Sequence, residues 1–458
     1  MSAAMTNDDQ ASLSAWLEAN PQISRVEAFV FDLAGSAKGK WLERGKAGAV
    51  DAKGLPIPIS VFALDSWGCD VAGAGLAFGT GDPDALCYPV AGRFAAMPWV
   101  PAKDGEGVGQ CFLQMRGPDG QPVVSDPRGA LQRVLARYAA KGLTPVVAME
   151  LEFYLYRLEN GVPVPPDGNA RRNDTLSTSV LAAHADLFDA IFAAAHAIGI
   201  PVDGMISEAG PGQYELNLLH RADALAAADD VLLLRRIVRA VAAQHGLGAT
   251  FMAKPYGECS GSGMHIHASL LGADGAPTFA KAGDQYGAGA SDMLYHAVEG
   301  LLSAMPETML AFAPNFNSFR RFRPDAHAPL SASWGIDDRS AAVRVIPGDA
   351  KTVRIEHRIS GADVNSYVAL TAMLGAMLEG IEAGHMPPPP QDPKNPGQGR
   401  ALPVEWGAAM AAFAGSDMAA RIFGARFRDI MVACKEQDRA AFLSHIDQFE
   451  YDTYLGLV

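Results

Sequence analysis

The chain has 458 residues, of which 49% are hydrophobic and 19% charged, a composition typical of a globular protein of two or three domains. Its formal net charge of −14 argues against a nucleic-acid surface, because phosphate backbones are bound by basic faces. No apolar run reaches the roughly 18 residues that cross a bilayer, and the N-terminal stretch lacks the features of a signal peptide. The five cysteines show no paired spacing, so we expect reduced thiols in a cytoplasmic protein without membrane or nucleic-acid partners.

The first part of the chain is predicted to consist mainly of short strands. Residues 11–20 predict a short helix, residues 25–33 (RVEAFVFDL) a strand, and residues 61–65 (VFALD) a strand-like piece. We therefore predict a small β-rich domain over residues 1–124.

A domain boundary is predicted near residue 125. Asp126 and Pro127 supply an N-cap acid and a proline at the first helical position, and Gly142 ends the helical spacing that follows. Strands then alternate with helices in a second domain over residues 125–458, in which residues 386–400 are predicted to be an exposed loop. Further helices are expected at residues 176–198, 223–245, 292–305, 364–384 and 418–445.

Four stretches of the second domain carry apolar residues on one parity and polar residues on the other. Because side chains alternate across a strand, each stretch predicts a strand with one apolar and one polar face. Any one of them taken alone is also explained by a face exposed to solvent. The polar positions are Glu150 and Glu152; Glu215 and Asn217, preceded by Glu208 and a glycine-rich turn; His265, His267 and Ser269; and Arg354, Glu356 and Arg358.

If these polar faces converge, five carboxylates meet His265 in a cluster that repels itself unless cations neutralise it. Oxygen-rich ligation with one imidazole suits Mg²⁺ or Mn²⁺, and two ions fit the cluster better than one. The chain has no Walker-type loop, but it is rich in arginines, whose guanidinium forks bind phosphate and carboxylate. Acid-bound metals beside arginines indicate phosphoryl transfer from a nucleotide.

From about residue 25 to its end, the chain resembles the glutamine synthetase family in the order and spacing of six motifs. The resemblance implies an α+β fold with an N-terminal β-grasp domain (1–124) and a catalytic domain (125–458) built on an open antiparallel sheet or barrel flanked by helices. It also implies ATP, L-glutamate and an amine as substrates, and a homo-oligomer, typically a dodecamer of two hexameric rings with active sites between subunits. The motifs are ELEF (150–153), EAGPGQYELN (208–217), KPYGECSGSGMHIHAS (254–269), NFNSFRRF (315–322), DRSAAVRVI (338–346) and RIEHR (354–358).

The resemblance further implies roles for individual residues. One metal is expected to be bound by Glu152, Glu208 and Glu215, and a second, which holds the nucleotide phosphates, by Glu150, His265 and Glu356. Nucleotide contacts are expected from His267, Ser269, Arg344 and Arg354. Glutamate is expected to be bound by Arg321 and Arg358, with the backbone of Gly261. Arg339 is expected to contact phosphate, and Asp65 is expected to help bind the incoming amine.

Two departures from the family pattern bear on the substrate. Glutamine synthetases carry a glutamate just before the Ala-Pro of the loop that closes over the site, where it helps to deprotonate ammonium; here RPDAHAPL has His327. A neutral histidine is a possible base, but it places no full negative charge beside ammonium. Ser260 also replaces an asparagine of the glycine-rich turn. The stretches FDLAGSAKGK, SVFALDSWG and FMAKPYGECSGSGMHIH are similar to the γ-glutamylpolyamine synthetase branch, which ligates glutamate to organic amines.

We therefore expect an ATP-dependent glutamate–amine ligase that acts through γ-glutamyl phosphate in amine catabolism. Putrescine or another polyamine, ethanolamine or another small amine is the expected acceptor, with Asp65, His327 or Asp325 assisting its deprotonation. Two alternatives stay open: glutamine synthesis from ammonium, and a non-catalytic assembly that keeps the fold and the rings.

Overall fold

Two β-sheets follow one another along the chain in this computed structural model, which describes residues 12–102, 104–166, 173–281, 283–324 and 326–458. The first sheet consists of β1 (Ile23–Phe31), β2 (Ala37–Glu43), β3 (Leu55–Pro58), β4 (Asp84–Ala96) and β5 (Gly107–Arg116). These strands lie in the order β2-β1-β5-β4-β3; β1 and β5 are parallel, and the other neighbours are antiparallel.

Short helices pack around the first sheet. The predicted N-terminal helix is confirmed as α1 (Leu13–Ala19), which is capped by Ser12, whose hydroxyl accepts a hydrogen bond from the Ala15 N–H. The predicted strand-like piece VFALD is wrong, because residues Ile59–Phe62 form a 3₁₀-helix. A short apolar run fits either structure, and burial against the first sheet's core decides it here. Two further helices in this region are α2 (Arg44–Ala47) and α3 (Val50–Lys53).

The second sheet has nine strands in the part of the chain that the structure describes. They are β6 (Thr144–Glu159), β7 (Val162–Val164), β8 (Val202–Ser207), β9 (Gln213–Leu218), β10 (Gly248–Thr250), β11 (Met264–Leu271), β13 (Trp334–Ile336), β14 (Val343–Ile346) and β15 (Arg354–His357); β12 (Ser331–Ala332) pairs separately with β16 (Arg400–Ala401). The path runs β13-β14-β15-β11-β6-β9-β8, while β7 and β10 also pair with β6. All pairs except β13–β14 are antiparallel.

The helices of the second part match several sequence predictions and correct others. The predicted start at Asp126 and Pro127 is confirmed, since Asp126 accepts a hydrogen bond from the Arg128 N–H. The helical stretches expected at residues 176–198 and 418–445 are confirmed, but each consists of two helices, divided at His184 and at Gly424, which has a φ of +84°. The helices are α4 (Pro127–Ala140), α5 (Thr178–Ala183), α6 (Ala185–Ala197), α7 (Ala224–Gln244), α8 (Asp292–Phe312), α9 (Ser366–Ala383), α10 (Trp406–Ala414), α11 (Asp417–Phe423), α12 (Ala425–Ser444) and α13 (Gln448–Tyr454).

Helices α8 and α9 pack closely in the main core, beneath the second sheet. A Cβ atom added to Gly300 would lie 2.1 Å from the carbonyl oxygen of Ala376, so only glycine permits this approach of the two backbones. The α8 helix runs past its predicted end at residue 305, through Pro306, to Phe312. None of the helices in the described ranges is both long and apolar enough to cross a bilayer.

Candidate functional site

The register of the second sheet brings the predicted polar faces together. On β11, His265 lies directly opposite Glu150 of β6, and on the other side of β6, Glu152 lies opposite Glu215 of β9. Glu356 of β15 lies opposite His267, across the other edge of β11. Because cross-strand neighbours lie about 5 Å apart, four strands contribute to one polar surface.

One group on this surface consists of Glu150, His265 and Glu356, with one potential ligand atom from each residue within 4.8 Å of the others. The Nδ1 atom of His265 lies 3.2 Å from Glu150 Oε2 and 3.8 Å from Glu356 Oε1. These are the three residues that the sequence assigned to the metal that holds the nucleotide phosphates.

A second group, defined by the same distance, consists of Glu152, Glu215 and His265. The sequence had assigned Glu208 to this metal beside Glu152 and Glu215. Glu208 follows the end of β8, and its N–H donates a hydrogen bond to the carbonyl of Gln213. Glu208 is close enough to Glu152 for that charge to affect its pKa, but it is not a member of the 4.8 Å group. His265 belongs to both groups, so the two groups share one imidazole.

Burial acts against the negative charges of the cluster, and local partners decide which carboxylates stay ionised. Burial alone would raise the pKa of Glu150, but the hydrogen bonds from His265 and His267 outweigh it and hold that pKa well below its usual range. Burial likewise opposes the ionised form of Glu356, and the charge of Arg358 holds its pKa below the usual value.

Glu208 and Glu215 show the opposite behaviour. Burial and then the nearby charge of Glu152 raise the pKa of Glu208 to about 7. Burial followed by the charges of Glu150 and Glu152 raises the pKa of Glu215 to about 8. At both residues the negative charge of neighbouring carboxylates thus adds to the effect of burial, as expected for a cluster whose compensating charge comes from bound cations.

Two predicted arginines flank Glu356, which is 1% exposed. Arg344 Nη1 donates to Glu356 Oε2 at 3.0 Å, and Arg358 Nη1 forms a close ion pair with Glu356 Oε1. Arg344 also bonds Asp337 through Nε at 3.0 Å. Both guanidinium groups therefore stand at the edge of the group formed by Glu150, His265 and Glu356.

A guanidinium group fixes the tautomer of His267. Arg354 Nε donates to His267 Nδ1 at 3.2 Å, so Nδ1 accepts and Nε2 carries the proton. The Nε2 atom lies 3.0 Å from Glu150 Oε1 and donates to it. Ser269 lies two residues further along the same face of β11, opposite Val146 of β6.

Arg321 lies against the glycine-rich stretch before β11. Its Nη1 donates to the Ile359 carbonyl at 2.9 Å, and its side chain is buried. A Cβ atom added to Gly261 would lie 2.6 Å from Arg321 Cγ, and one added to Gly263 would lie 3.2 Å from both Arg321 Nη2 and His265 Nε2. These glycines therefore let the stretch run close to the side chains of the site.

In the part of the chain that the structure describes, the side chains of three predicted site residues make no hydrogen bond with the carboxylates of the cluster. Asp65 makes its described hydrogen bonds with its own loop and with Gln437 of α12. His327 is exposed in a bend, and Arg339 is exposed, with its carbonyl accepting a 3.1 Å hydrogen bond from Arg358 Nε. Asp325 lies outside the described residues.

Gln213 was not assigned to the site from the sequence, although it holds Glu152 in place. Its Nε2 donates to Glu152 Oε2 at 3.1 Å, and the Gly263 N–H donates to the same oxygen at 2.9 Å. The signal was present, since Gln213 shares its parity with Glu215 and Asn217 in the same motif.

The donor set fits hard divalent cations. Carboxylate oxygens with one shared imidazole suit Mg²⁺ or Mn²⁺. The close approach of carboxylates, two of them with raised pKa values, is the charge arrangement that such ions neutralise. A carboxylate–histidine cluster flanked by arginines on an antiparallel sheet therefore defines a candidate metal site.

The chain belongs to the glutamine synthetase family. A family model described as the glutamine synthetase catalytic domain matches residues 124–454. The chain is 36% identical over 451 residues to the γ-glutamylputrescine synthetase of Escherichia coli (strain K12), covering 96% of this chain and 93% of that protein. It is 31% identical over 398 residues to a glutamate–isopropylamine ligase of a Pseudomonas species, with 83% of each chain covered.

A solved structure of GmaS without ligand superposes with a TM-score of 0.85 at 25% identity, covering 97% of this chain and all of that one. The glutamine synthetase-type fold that the resemblance implied is thereby confirmed. Ligases of this family use ATP and a divalent metal, in agreement with the carboxylate–histidine groups described above.

Proposed function

We propose that the protein joins the γ-carboxylate of L-glutamate to a primary amine, with ATP converted to ADP and phosphate. The observation that carries this proposal is the pair of groups that share His265, built from carboxylates of four neighbouring strands and flanked by arginines. The similarity over 96% of the chain to a γ-glutamylputrescine synthetase supports an organic amine as the acceptor.

The metal-binding residues in this proposal are those of the cluster. Glu150, His265 and Glu356 would hold one Mg²⁺ or Mn²⁺, and Glu152, Glu208 and Glu215 the other, with His265 close enough to serve either. When bound, the ions neutralise charge on the phosphates and on the carboxylates. His267, Ser269, Arg344 and Arg354 are the proposed nucleotide contacts, on the side of the cluster where Arg354 orients His267.

In the first half of the reaction, a γ-carboxylate oxygen of glutamate attacks the γ-phosphorus of ATP, the bond to ADP breaks, and γ-glutamyl phosphate forms. Arg321 and Arg358 are proposed to bind the glutamate carboxylates, with the backbone of Gly261 beside them, and Arg339 to contact the transferred phosphate. The proximity of Arg321 to the glycine-rich stretch supports a shared binding surface.

In the second half, the amine nitrogen attacks the acyl carbon, phosphate leaves, and the nitrogen gives up a proton. Asp65 and His327 are the proposed groups on the amine side, and His327 is exposed on the loop that the family uses to cover the site. Closure of that loop would exclude water, which would otherwise hydrolyse the acyl phosphate.

Ammonium is the alternative acceptor, and a non-catalytic assembly is the remote alternative. His327 counts against ammonium, because it stands where glutamine synthetases place a carboxylate. The name of one relative, a glutamate–isopropylamine ligase, agrees with an organic amine as the acceptor. A non-catalytic protein would have no need for buried carboxylates whose neighbours raise the pKa values of Glu208 and Glu215.

We also infer the domain organisation and assembly. A β-grasp domain is proposed over residues 1–124 and the catalytic domain over 125–458, supported by the family match that begins at residue 124. A cytoplasmic homo-oligomer is proposed, a dodecamer of two hexameric rings with active sites between subunits. Asp65 would then serve the site of a neighbouring subunit.

The decisive experiment measures phosphate release with ATP, glutamate and Mg²⁺ against a panel of putrescine, ethanolamine, isopropylamine and ammonium. Turnover with an organic amine well above that with ammonium supports the proposal and names the substrate. Turnover chiefly with ammonium would establish a divergent glutamine synthetase, and no turnover together with absent metal binding would establish the non-catalytic alternative.

A further inference from the structure

The loop that carries Asp65 is tied to helix α12 by a buried carboxylate. Asp438, which is 1% exposed, accepts a hydrogen bond from the Ser66 N–H at 2.7 Å on Oδ1 and one from the Ser66 hydroxyl at 2.8 Å on Oδ2. Lys435, also buried, donates to Asp438 Oδ2 at 2.8 Å and neutralises its charge. The attraction within a buried ion pair offsets the loss of hydration only when the geometry is good and further hydrogen bonds are made, as they are here with Ser66.

Asp65 in turn organises its own loop. Its Oδ1 accepts from the N–H groups of Trp67 and Cys69 at 2.9 and 2.8 Å, and its Oδ2 accepts from Gln437 Nε2 at 2.8 Å. The neighbouring residues Asp65 and Ser66 are therefore held by Gln437 and Asp438, which are neighbours on α12. Two side-chain contacts from one helix fix both the position and the orientation of this loop.

The same lysine connects the loop to the helix that carries Arg321. Lys435 Nζ donates to Asn315 Oδ1 at 3.3 Å, and Asn315 is the N-cap of the 3₁₀-helix Phe316–Arg321. Ser318 completes the capping box, and both Asn315 and Ser318 donate to Asp363 Oδ2, at 2.9 and 2.6 Å. A continuous polar path thus runs from Ser66 through α12 to the turn that ends at Arg321.

We propose that Asp438 and Lys435 are positioning residues for the amine half of the reaction: they fix the loop of Asp65 against α12 and tie it to the helix of Arg321. This inference rests on the proposed function, which places Asp65 on the amine side of a neighbouring subunit's site and Arg321 on the glutamate side of the site in its own chain. A displacement of a reacting group by about 1 Å costs up to ~100-fold in rate, so a loop that holds an amine-side carboxylate needs such a support.

The two test variants are Ser66→Ala, which removes one donor to Asp438 from an exposed position, and Asp438→Asn, which removes the charge. The matched control is Glu436→Gln, an exposed glutamate on the same helix. Ser66→Thr retains the hydroxyl and is the rescue variant. Initial rates are measured with the amine that the panel above selects, together with ADP formation from ATP and glutamate without amine, which reports on the first half of the reaction.

The KM for the amine should rise about tenfold in Asp438→Asn and severalfold in Ser66→Ala. The amine-free rate should stay within twofold of wild type in both variants. The KM for glutamate in Ser66→Ala should also stay within twofold of wild type. Ser66→Thr and Glu436→Gln should remain near wild type. An unchanged KM for the amine, or an equal loss of every parameter, would mean that the contact is structural only, and would overturn the proposal.

Hydrogen–deuterium exchange provides a readout that does not depend on turnover. Backbone exchange in peptides that cover residues 63–70 should increase in Asp438→Asn and not in Glu436→Gln. Unchanged exchange would overturn the positioning role even if the wild-type enzyme were active. Absence of amine-dependent turnover in the wild type would instead refute the proposed function, while the exchange result would still report on the loop.

Discussion

The Nδ1 atom of His265 lies 3.2 Å from Oε2 of Glu150, and the antiparallel register of β11 and β6 places the two residues directly opposite each other. His265 also belongs to the group of Glu152 and Glu215, so one imidazole serves both candidate metal positions. Loss of His265 should therefore disturb both ions, whereas loss of Glu356, which belongs to only one group, should disturb one.

The first prediction follows from this shared imidazole. In a titration with Mn²⁺ followed by calorimetry, the wild type should bind two ions, Glu356→Gln one, and His265→Asn neither at wild-type affinity. Each affected site should weaken by at least ~10-fold, since even partners of metal ligands contribute 10–100-fold. Turnover of Glu356→Gln should fall by about 100-fold or more. The control is Glu159→Gln, at an exposed position of the same strand as Glu150; near-normal turnover of Glu356→Gln would contradict the metal assignment.

The second prediction concerns pH. The pKa values of Glu208 and Glu215, about 7 and about 8, lie above the usual value of 4.5 in the metal-free protein. The folded state therefore holds more protons than the unfolded state between about pH 4.5 and 8, and the stability that these groups contribute is lost as the pH rises through this range. Metal binding displaces these protons, so metal affinity should increase with pH.

Thermal melts of the metal-free protein should accordingly show a falling midpoint from pH 6 to pH 9, and added Mg²⁺ should restore it most strongly at pH 9. In Glu215→Gln, which has no proton to lose at this position, the fall should be shallower. A midpoint that rises over this range in the metal-free wild type would contradict the electrostatic description of the cluster.

The third prediction concerns the glycine-rich stretch before β11. A Cβ atom at Gly261 would lie 2.6 Å from Arg321 Cγ and 2.8 Å from the Ala253 carbonyl, so Gly261→Ala must displace one of them. We expect the KM for glutamate to rise about tenfold, because Arg321 is the proposed glutamate ligand. Gly257→Ala is the matched control in the same stretch, since a Cβ there meets nothing within 4 Å. Equal KM values for the two variants would show that Arg321 is not positioned by this contact.

The fourth prediction concerns the junction of the first sheet with α7. Asp229 is fully buried and accepts from Arg93 Nε and Arg128 Nε, each at 3.0 Å, so a residue of β4 and a residue of α4 meet one carboxylate. Asp229→Asn would leave the buried guanidinium group of Arg128 without its counter-ion, whereas Arg93 would keep its ion pair with Asp230. We expect this change to destabilise the protein by about 3–5 kcal/mol. Denaturant melts of this variant are compared with those of Asp189→Asn, an exposed aspartate on α6. A loss of unfolding free energy below about 1 kcal/mol, which is typical of an exposed ion pair, would contradict the structural role of Asp229.

The polar faces of β6, β9 and β11 were predictable from the sequence because alternation along a strand is a local property. The contacts that join distant residues were not. Ser66 and Asp438 lie 372 residues apart, and no local pattern marks a hydrogen bond between them. The 3₁₀-helix Ile59–Phe62 was missed for a related reason: a four-residue apolar run has no periodicity that separates helix from strand, and its tertiary surroundings determine its conformation.

The last prediction concerns the choice of acceptor. His327 is exposed on its loop, where glutamine synthetases carry a glutamate, so the side chain can be exchanged with little cost to folding. In His327→Glu, a full negative charge would stand beside the amine position and favour ammonium, a small cation that binds weakly without a counter-charge. We expect kcat/KM for ammonium to rise about tenfold relative to that for the organic amine. His327→Gln, which is neutral and of similar length, should lower turnover of the organic amine without this gain if His327 acts as a base. An unchanged ratio in His327→Glu would show that specificity for the amine is determined by other residues of the site.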